Sequence, residues 1–165
     1  MHPSKVNEVR RKISLLTLAE VDMRQVANAA RALNDDDRLP FRRMIETGLV
    51  VTYCRPFSGA PKDGVPPQKT VVDMFAPTAD FAWLHAQLWE VRNKLFGHTD
   101  DDYKHRRMAV DVFGSHRYSE QYQHLDPERL VAIAALAEAL AEQFREAKEE
   151  LQQSLIDAGV PPLTC

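Results

Sequence analysis

The sequence predicts an all-α fold, a four-helix bundle with a small β-hairpin between the third and fourth helices. Three observations lead to this prediction. Apolar residues recur at helical spacing in four segments, helix-breaking residues separate those segments, and the alternation typical of a strand occurs in one place. With 165 residues the chain has the length of one domain with a sizeable core, so residues 1–165 are interpreted as a single domain.

The first two helices are predicted on either side of an acidic break. Residues 1–12 are polar and are predicted to be frayed. From Thr17 to Leu33, apolar residues recur at helical steps, which indicates the first helix. The acids of NDDD at 34–37 interrupt this pattern and offer capping carboxylates for the second helix, which is expected to end near Pro56. The apolar positions of this second helix are Leu39, Phe41, Met44, Ile45, Leu49 and Val50.

A segment rich in proline and glycine separates the second helix from the third. Residues 56–77 are predicted to form a loop, because 56–70 alone contain four prolines and two glycines. Loops of this length in a compact domain often have a function. The third helix is expected to begin with Thr78 or Asp80 as its N-cap and to end near Phe96. Its predicted inner positions are Phe81, Leu84, Leu88, Val91 and Leu95.

The last third of the chain combines the predicted hairpin with the most clearly marked helix. Apolar residues alternate over 108–112, which indicates a short strand, and SEQYQHL at 119–125 is its predicted partner. Asp126 is the predicted N-cap of the fourth helix, Pro127 suits its first position, and Gly159 ends it. The apolar positions of this helix are Leu130, Ile133, Leu136, Leu140, Phe144, Ala147, Leu151 and Leu155.

Composition narrows the classes of function. The formal net charge is −3 at pH 7, so any contact with nucleic acid must come from a local basic patch. No run approaches the roughly 18 apolar residues of a membrane span, and no signal-peptide core follows the basic N-terminus. Only Cys54 and Cys165 occur, too few for a disulfide framework or a zinc site. We expect a cytoplasmic setting, with neither a metal nor another cofactor.

The end of the third helix carries the most specific chemistry. RNKLFGH at 92–98 closes an apolar helix with Arg92, Asn93, Lys94 and His98. Polar groups inside a protein cost free energy unless they are paired, so this end either reaches the surface or builds a site. Arginine binds phosphate in a forked geometry, and histidine exchanges a proton near neutral pH. With an orienting amide, these groups suit attack of a ribose 2′-hydroxyl on the adjacent phosphate without a metal.

The spacing of Arg92 and His98 leaves two ways for them to meet. At about 100° per residue, six steps along an unbroken helix place them roughly 120° apart. Gly97 can redirect the chain after the last turn, so His98 could fold back over the helix end. Alternatively, both residues could face their copies across the two-fold axis of a homodimer. The sequence leaves both arrangements open.

RNKLFGH followed by TD resembles the motif of the HEPN superfamily, which combines an arginine, usually a polar residue, and a histidine a few positions later. Asn93 occupies the polar position, and the form R-N-x(4)-H is similar to the abortive-infection-like branch. The resemblance implies an all-α, often dimeric fold. For many members it implies metal-independent endoribonuclease activity in toxin–antitoxin, abortive-infection or RNA-processing systems. It further implies Arg92, Asn93 and His98 as the catalytic set, with RNA and an antitoxin protein as partners.

Four further residues are predicted to contact nucleic acid. Lys94 lies in the motif, Tyr53 and Arg55 end the second helix beside the long loop, and Lys104 belongs to the basic run YKHRR. Each cation also has a structural interpretation. Lys94 suits a solvated helix end, Arg55 could cap carbonyl groups, and Lys104 could neutralise DDD at 100–102.

The residues of the motif and its helix have structural interpretations as well. Arg92 could pair with Glu90, Asp100 or another carboxylate, and His98 could interact with the helix dipole. His85 is predicted to be a satisfied histidine at the core boundary. The alternative function is therefore a non-catalytic helical module, which binds a partner through the same dimer face that carries RNKLFGH. A regulator that binds a small molecule beneath the Pro/Gly-rich loop is a third interpretation.

Overall fold

The computed structural model of the chain describes residues 1–36, 41–58, 81–96, 105–110, 116–121 and 125–161. For 94–96 and for both strands, only the backbone is described. The described part is mostly helical, and a short 3₁₀ turn at Arg55–Phe57 follows the second helix. Its four α-helices are α1 (Pro3–Asp35), α2 (Arg42–Cys54), α3 (Ala82–Phe96) and α4 (Pro127–Asp157). None of these described helices has the length and apolarity needed to cross a membrane.

The first helix begins earlier than predicted. α1 starts at Pro3, which corrects the expectation that residues 1–12 are frayed. His2 is the N-cap, and its side chain accepts a hydrogen bond from the N–H of Ser4 in the first turn. Pro3 fits the first helical position because its missing N–H needs no partner there. Ile13 and Leu16 are buried, and burial of one helical face supplies most of a helix's stability.

α1 and α4 pack along each other and run antiparallel. Glu20 in the middle of α1 contacts Lys148 in the second half of α4, with 2.5 Å between Oε2 and Nζ. Arg31 near the end of α1 pairs with Glu138 in the first half of α4. Residue numbers therefore increase along α1 in the direction in which they decrease along α4. α2 packs against α1, and α3 packs against α2.

α4 has the caps and the buried face that the sequence predicts. The carboxylate of Asp126 accepts a hydrogen bond from the N–H of Arg129 at 2.8 Å, and Pro127 takes the first position. Gly159 ends the helix with φ 71°, a left-handed conformation that favours glycine. The prediction for this helix is confirmed. Its buried apolar residues include Leu130, Ile133, Leu136, Leu140, Phe144 and Leu155.

α2 differs from its prediction at the N-terminal end. The acids of NDDD that the structure describes end α1 instead of capping α2, whose N-cap is Phe41 with φ 63° and no side-chain cap. Phe41 and Met44 are 75% and 69% exposed, so these two apolar positions lie outside the core. Leu49 and Val50 are buried, and the last turns of α2 therefore carry its packing.

One hydrophobic core joins the four described helices. α3 packs on α2, and Leu84 and Leu88 are buried at this contact, as predicted. Phe81 and Val91 are partly buried against the core, while the side chain of Leu95 lies outside the described residues. The inner face of α3 is therefore buried, and the described residues on its other faces are partly or fully exposed.

Two strands lie between α3 and α4 along the chain. β1 (His105–Val110) pairs antiparallel with β2 (His116–Gln121), and His105 stands opposite Gln121. Both strands are displaced from the predicted segments. Residues 111–115, which would connect them, lie outside the described residues, so the hairpin itself stays a prediction.

Candidate functional site

Two of the three predicted catalytic residues are described, and they touch each other. Arg92 and Asn93 lie on the last turns of α3, where Arg92 is half-buried and Asn93 is exposed. Nη1 of Arg92 donates a hydrogen bond to Oδ1 of Asn93 at 3.1 Å. His98 and Lys104 lie outside the described residues, as does the side chain of Lys94. The meeting of Arg92 with His98 therefore stays a prediction.

The guanidinium of Arg92 also rests on an aromatic ring. Its central carbon lies 5.4 Å from the centroid of the Trp89 ring. Residues three apart share a helix face, and a cation over an indole is stabilised by about 0.5–2 kcal/mol, depending on its exposure. In the described part of the chain, the contacts of Arg92 are thus a ring and an amide, with no carboxylate among them. The predicted ion pair with Glu90 is not among these contacts, and Asp100, the other predicted partner, lies outside the described residues.

His85, Trp89 and Arg92 form one line along α3, which we call the α3 stripe. Steps of four and three residues place them on the same helix face. The rings of His85 and Trp89 are 6.5 Å apart and nearly perpendicular. Edge-to-face rings at such distances attract each other through their quadrupoles. The stripe therefore connects the cation at the end of α3 to the start of the same helix.

His85 joins the α3 stripe to the core. Its Nδ1 shares a hydrogen bond of 2.8 Å with the hydroxyl of Tyr53, and the ring of Phe57 meets it edge-on at 4.9 Å. Burial lowers the pKa of His85 below its ordinary value of 6.5, so the imidazole is neutral at pH 7. The prediction of a satisfied boundary histidine is confirmed.

Tyr53 does not have the predicted role in nucleic-acid binding. Its side chain is fully buried at the end of α2, and its hydroxyl is bonded to His85. Burial also raises the pKa of Tyr53. A buried ring cannot reach a phosphate backbone, so Tyr53 is a core residue. The neighbouring Cys54 is also buried, and burial raises the pKa of its thiol to about 12, which keeps it protonated.

Arg55, also predicted to bind nucleic acid, is occupied by a carboxylate. Its Nε donates to Oδ2 of Asp22 at 2.7 Å, and its Nη2 contacts Oδ1 of the same carboxylate. Asp22 is only 7% exposed on α1, whereas the Arg55 side chain is 62% exposed. The carboxylate therefore occupies the Nε/Nη2 edge of the guanidinium and offsets its charge. Arg55 therefore ties the end of α2 to α1, and its contact with nucleic acid stays a prediction.

The sequence predictions missed three acids that the structure buries, Glu20, Asp22 and Glu46, which we call the buried acids. Glu46 is 0% exposed and accepts hydrogen bonds from Nε of Arg42 at 2.9 Å and from the N–H of Leu125 at 3.2 Å. Arg42 also donates to the carbonyl groups of Leu33 and Leu125, at 3.0 Å each. This network ties α2 to the end of α1 and to the residue before the cap of α4. The signal was present in the sequence as acids inside apolar helical patterns.

A cleft of about 310 Å³ lies between α1 and the 3₁₀ turn, next to the Arg55–Asp22 pair. Leu15 and Leu18 contribute apolar walls, and Ser58 lies at its edge. Among the residues that the structure describes, no group of three histidine, cysteine or acidic side chains is placed to hold a metal. The chemically distinctive site in the described ranges is therefore the end of the α3 stripe.

No protein-family model matches this chain, and no curated protein or solved structure is similar to it. The resemblance to the HEPN superfamily accordingly depends on RNKLFGH and on the helical architecture. What the site can do follows from Arg92 and the side chains around it.

Proposed function

We propose that the protein is a HEPN-like, metal-independent endoribonuclease, a cytoplasmic homodimer that belongs to a toxin or defence system. One observation carries this proposal. Arg92 is fixed by the ring of Trp89 and the amide of Asn93, and neither contact neutralises its charge. A guanidinium held in this way keeps donors and a full positive charge for a phosphate group.

The proposed reaction is the transfer of a phosphodiester to the adjacent 2′-oxygen. A histidine base removes the proton of the 2′-hydroxyl, the 2′-oxygen bonds to phosphorus, and the bond from phosphorus to the 5′-oxygen breaks. The leaving 5′-oxygen takes a proton from a histidine acid, so the products are a cyclic phosphate and a 5′-hydroxyl. His98 of the two copies supplies the base and the acid. Arg92 stabilises the charge that develops on the phosphorane, and Asn93 orients Arg92.

A second candidate is a non-catalytic interaction module. It is supported by an exposed apolar face at the outer side of α2, where Phe41, Met44 and Val51 are 75%, 69% and 39% exposed. Exposed apolar residues at helical spacing often mark a contact with another protein. In this alternative, an antitoxin or another partner binds the helices, and the polar end of α3 orders the contact.

The proposal is tested with purified protein and single-stranded RNA in the presence of EDTA. We expect the wild type to produce fragments with cyclic phosphate ends. Arg92→Ala should lower the rate by about 10²–10³-fold, the usual effect of removing one donor that stabilises a transition state. His98→Ala should lower it at least as far. Cleavage that both variants retain would contradict the mechanism.

A matched control and a size measurement separate the two candidates. Arg145→Ala removes an exposed arginine whose partners are Glu142 and Glu149, and it should leave cleavage unchanged. Arg92→Ala should remain folded and dimeric by thermal melting and light scattering. If the wild type cuts no RNA and Arg92→Ala separates into monomers, the interaction module is the better account.

A further inference from the structure

We infer that Trp89 is a positioning residue, which holds the guanidinium of Arg92 in the orientation that the proposed phosphate contact needs. This inference rests on the proposed function and adds a residue outside the RNKLFGH motif to the site. Trp89 is partly buried and packs against the core, so its ring is a fixed surface. The guanidinium lies 5.4 Å from the centre of that ring.

An arginine without such support has many conformations. Its side chain is long, and ordering it when a phosphate binds would lower the affinity. The indole ring restricts the guanidinium from one side, while Oδ1 of Asn93 restricts it in its own plane, at 3.1 Å from Nη1. The two contacts together order Arg92 before any ligand arrives. Because a ring attracts a cation without neutralising it, the site stays attractive to an anion.

Trp89 is itself held from the opposite end of the α3 stripe. The ring of His85 meets it at 6.5 Å, and the Tyr53 hydroxyl fixes the orientation of that imidazole through the bond to Nδ1. Burial lowers the pKa of His85, so a neutral ring lies beside the indole and no second cation competes with Arg92 for it. The contacts run from the core residue Tyr53 outward to Arg92.

The second tryptophan of the chain provides an internal control. Trp83 lies on the same helix as Trp89 but is 51% exposed. The aromatic contacts of the described residues place Trp89, and not Trp83, beside Arg92. Replacement of Trp83 should therefore leave the site unchanged, whereas replacement of Trp89 should release the guanidinium.

A double-mutant cycle on cleavage tests the inference. Trp89→Leu, which keeps an apolar side chain against the core, should lower kcat by about tenfold, and Trp89→Phe should restore most of the rate. Trp83→Leu should leave kcat unchanged. In the Arg92→Ala background, Trp89→Leu should have no further effect, because the residue that it positions is gone. Effects that simply multiply, or an unchanged kcat in Trp89→Leu, would overturn the inference.

A fluorescence measurement separates failure of this inference from failure of the proposed function. The chain has two tryptophans, so in Trp83→Phe the emission comes from Trp89 alone. Adding Arg92→Ala should change that emission, and adding Arg55→Ala should not. A response to Arg92 in a protein that cuts no RNA would refute the ribonuclease and leave the positioning intact. An unchanged emission in a protein that needs Arg92 for cleavage would refute the positioning alone.

Discussion

Arg55 and Arg92 were both predicted to meet RNA, and the structure gives them different surroundings. Arg55 is the more exposed of the pair, at 62% for its side chain, yet both arms of its fork contact the carboxylate of Asp22. Arg92 is half-buried, yet its described contacts are the ring of Trp89 and the amide of Asn93. Exposure alone therefore does not show which of the two arginines has a carboxylate partner.

The difference lies in the charge of the partner. A carboxylate cancels the charge of a guanidinium and occupies one edge of its donors, whereas an indole ring orders the same group and leaves its charge uncancelled. The chain carries a net charge of −3, and each of the buried acids has a basic partner. In the described part of the chain, the contacts of Arg92 at the end of α3 include no carboxylate, and a guanidinium in such surroundings can attract a phosphate.

The largest effect on stability is expected where a buried acid would lose the guanidinium that donates to it. Arg42→Met leaves Glu46 without its guanidinium at 0% exposure, and breaking a buried pair in this way lowers the free energy of unfolding by about 3–5 kcal/mol. Urea unfolding at pH 7 measures this loss. Arg145→Met, which removes an exposed ion pair with Glu142, should have a far smaller effect. Equal losses in the two variants would show that burial does not distinguish these pairs.

A smaller loss is expected at the Arg55–Asp22 pair. Arg55→Ala leaves a nearly buried carboxylate unpaired, but solvent screens the exposed guanidinium, so we expect the free energy of unfolding to fall by about 1–2 kcal/mol. Asp22→Asn in the same chain should restore part of this loss. Arg92→Ala should destabilise less than Arg55→Ala and affect RNA cleavage more. The reverse order in either measurement would remove the distinction between the two arginines.

Removal of the Tyr53 hydroxyl tests the buried end of the contacts that lead to Arg92. Tyr53→Phe leaves Nδ1 of His85 without its partner, and loss of one such hydrogen bond lowers the free energy of unfolding by about 1 kcal/mol. Cleavage should change by only a few-fold, since Tyr53 is buried and reaches no RNA. A variant with wild-type stability and no cleavage would contradict this account and indicate that Tyr53 contacts the RNA.

The pH dependence of stability tests whether His85 is neutral in the folded protein. Its pKa is lowered from 6.5 by burial, so the unfolded chain binds the proton more readily. Stability should therefore be complete above about pH 6.5 and fall as the pH drops from there through the folded pKa. Urea unfolding from about pH 5 to 7.5 should show this slope. His85→Gln should flatten it, and an unaltered slope in that variant would assign the dependence to other groups.

Local signals were sufficient for α4 and insufficient for the side-chain pairs that join distant parts of the chain. Asp126 and Pro127 lie next to the helix that they begin, so adjacent residues predict its start. Arg55 and Asp22 are separated by 33 positions, and Tyr53 and His85 by 32, so no local pattern predicts that they meet. Phosphate binding was predicted for Arg55 because the sequence gives no local sign of its ion pair with Asp22 on α1.

The exposed start of α2 has a similar cause. Helical spacing shows that Phe41 and Met44 share a face, but only the packing of the whole chain decides which apolar face is covered. At the candidate site, the motif identified Arg92 and Asn93 but not Trp89. A tryptophan three residues before an arginine on a helix was the available signal, because residues at that spacing are neighbours on one face.

Binding of a DNA single strand, which the proposed reaction cannot cleave, tests most directly whether Arg92, and not Arg55, is the arginine that binds a phosphate. A single strand with 2′-deoxy sugars keeps every phosphate and removes the nucleophile, so its affinity reports the contact without the reaction. We predict that Arg92→Ala weakens binding by about tenfold or more, the value of a lost charge-assisted hydrogen bond, and that Arg55→Ala binds like the wild type. Equal weakening in both variants, or weakening in Arg55→Ala alone, would contradict this account.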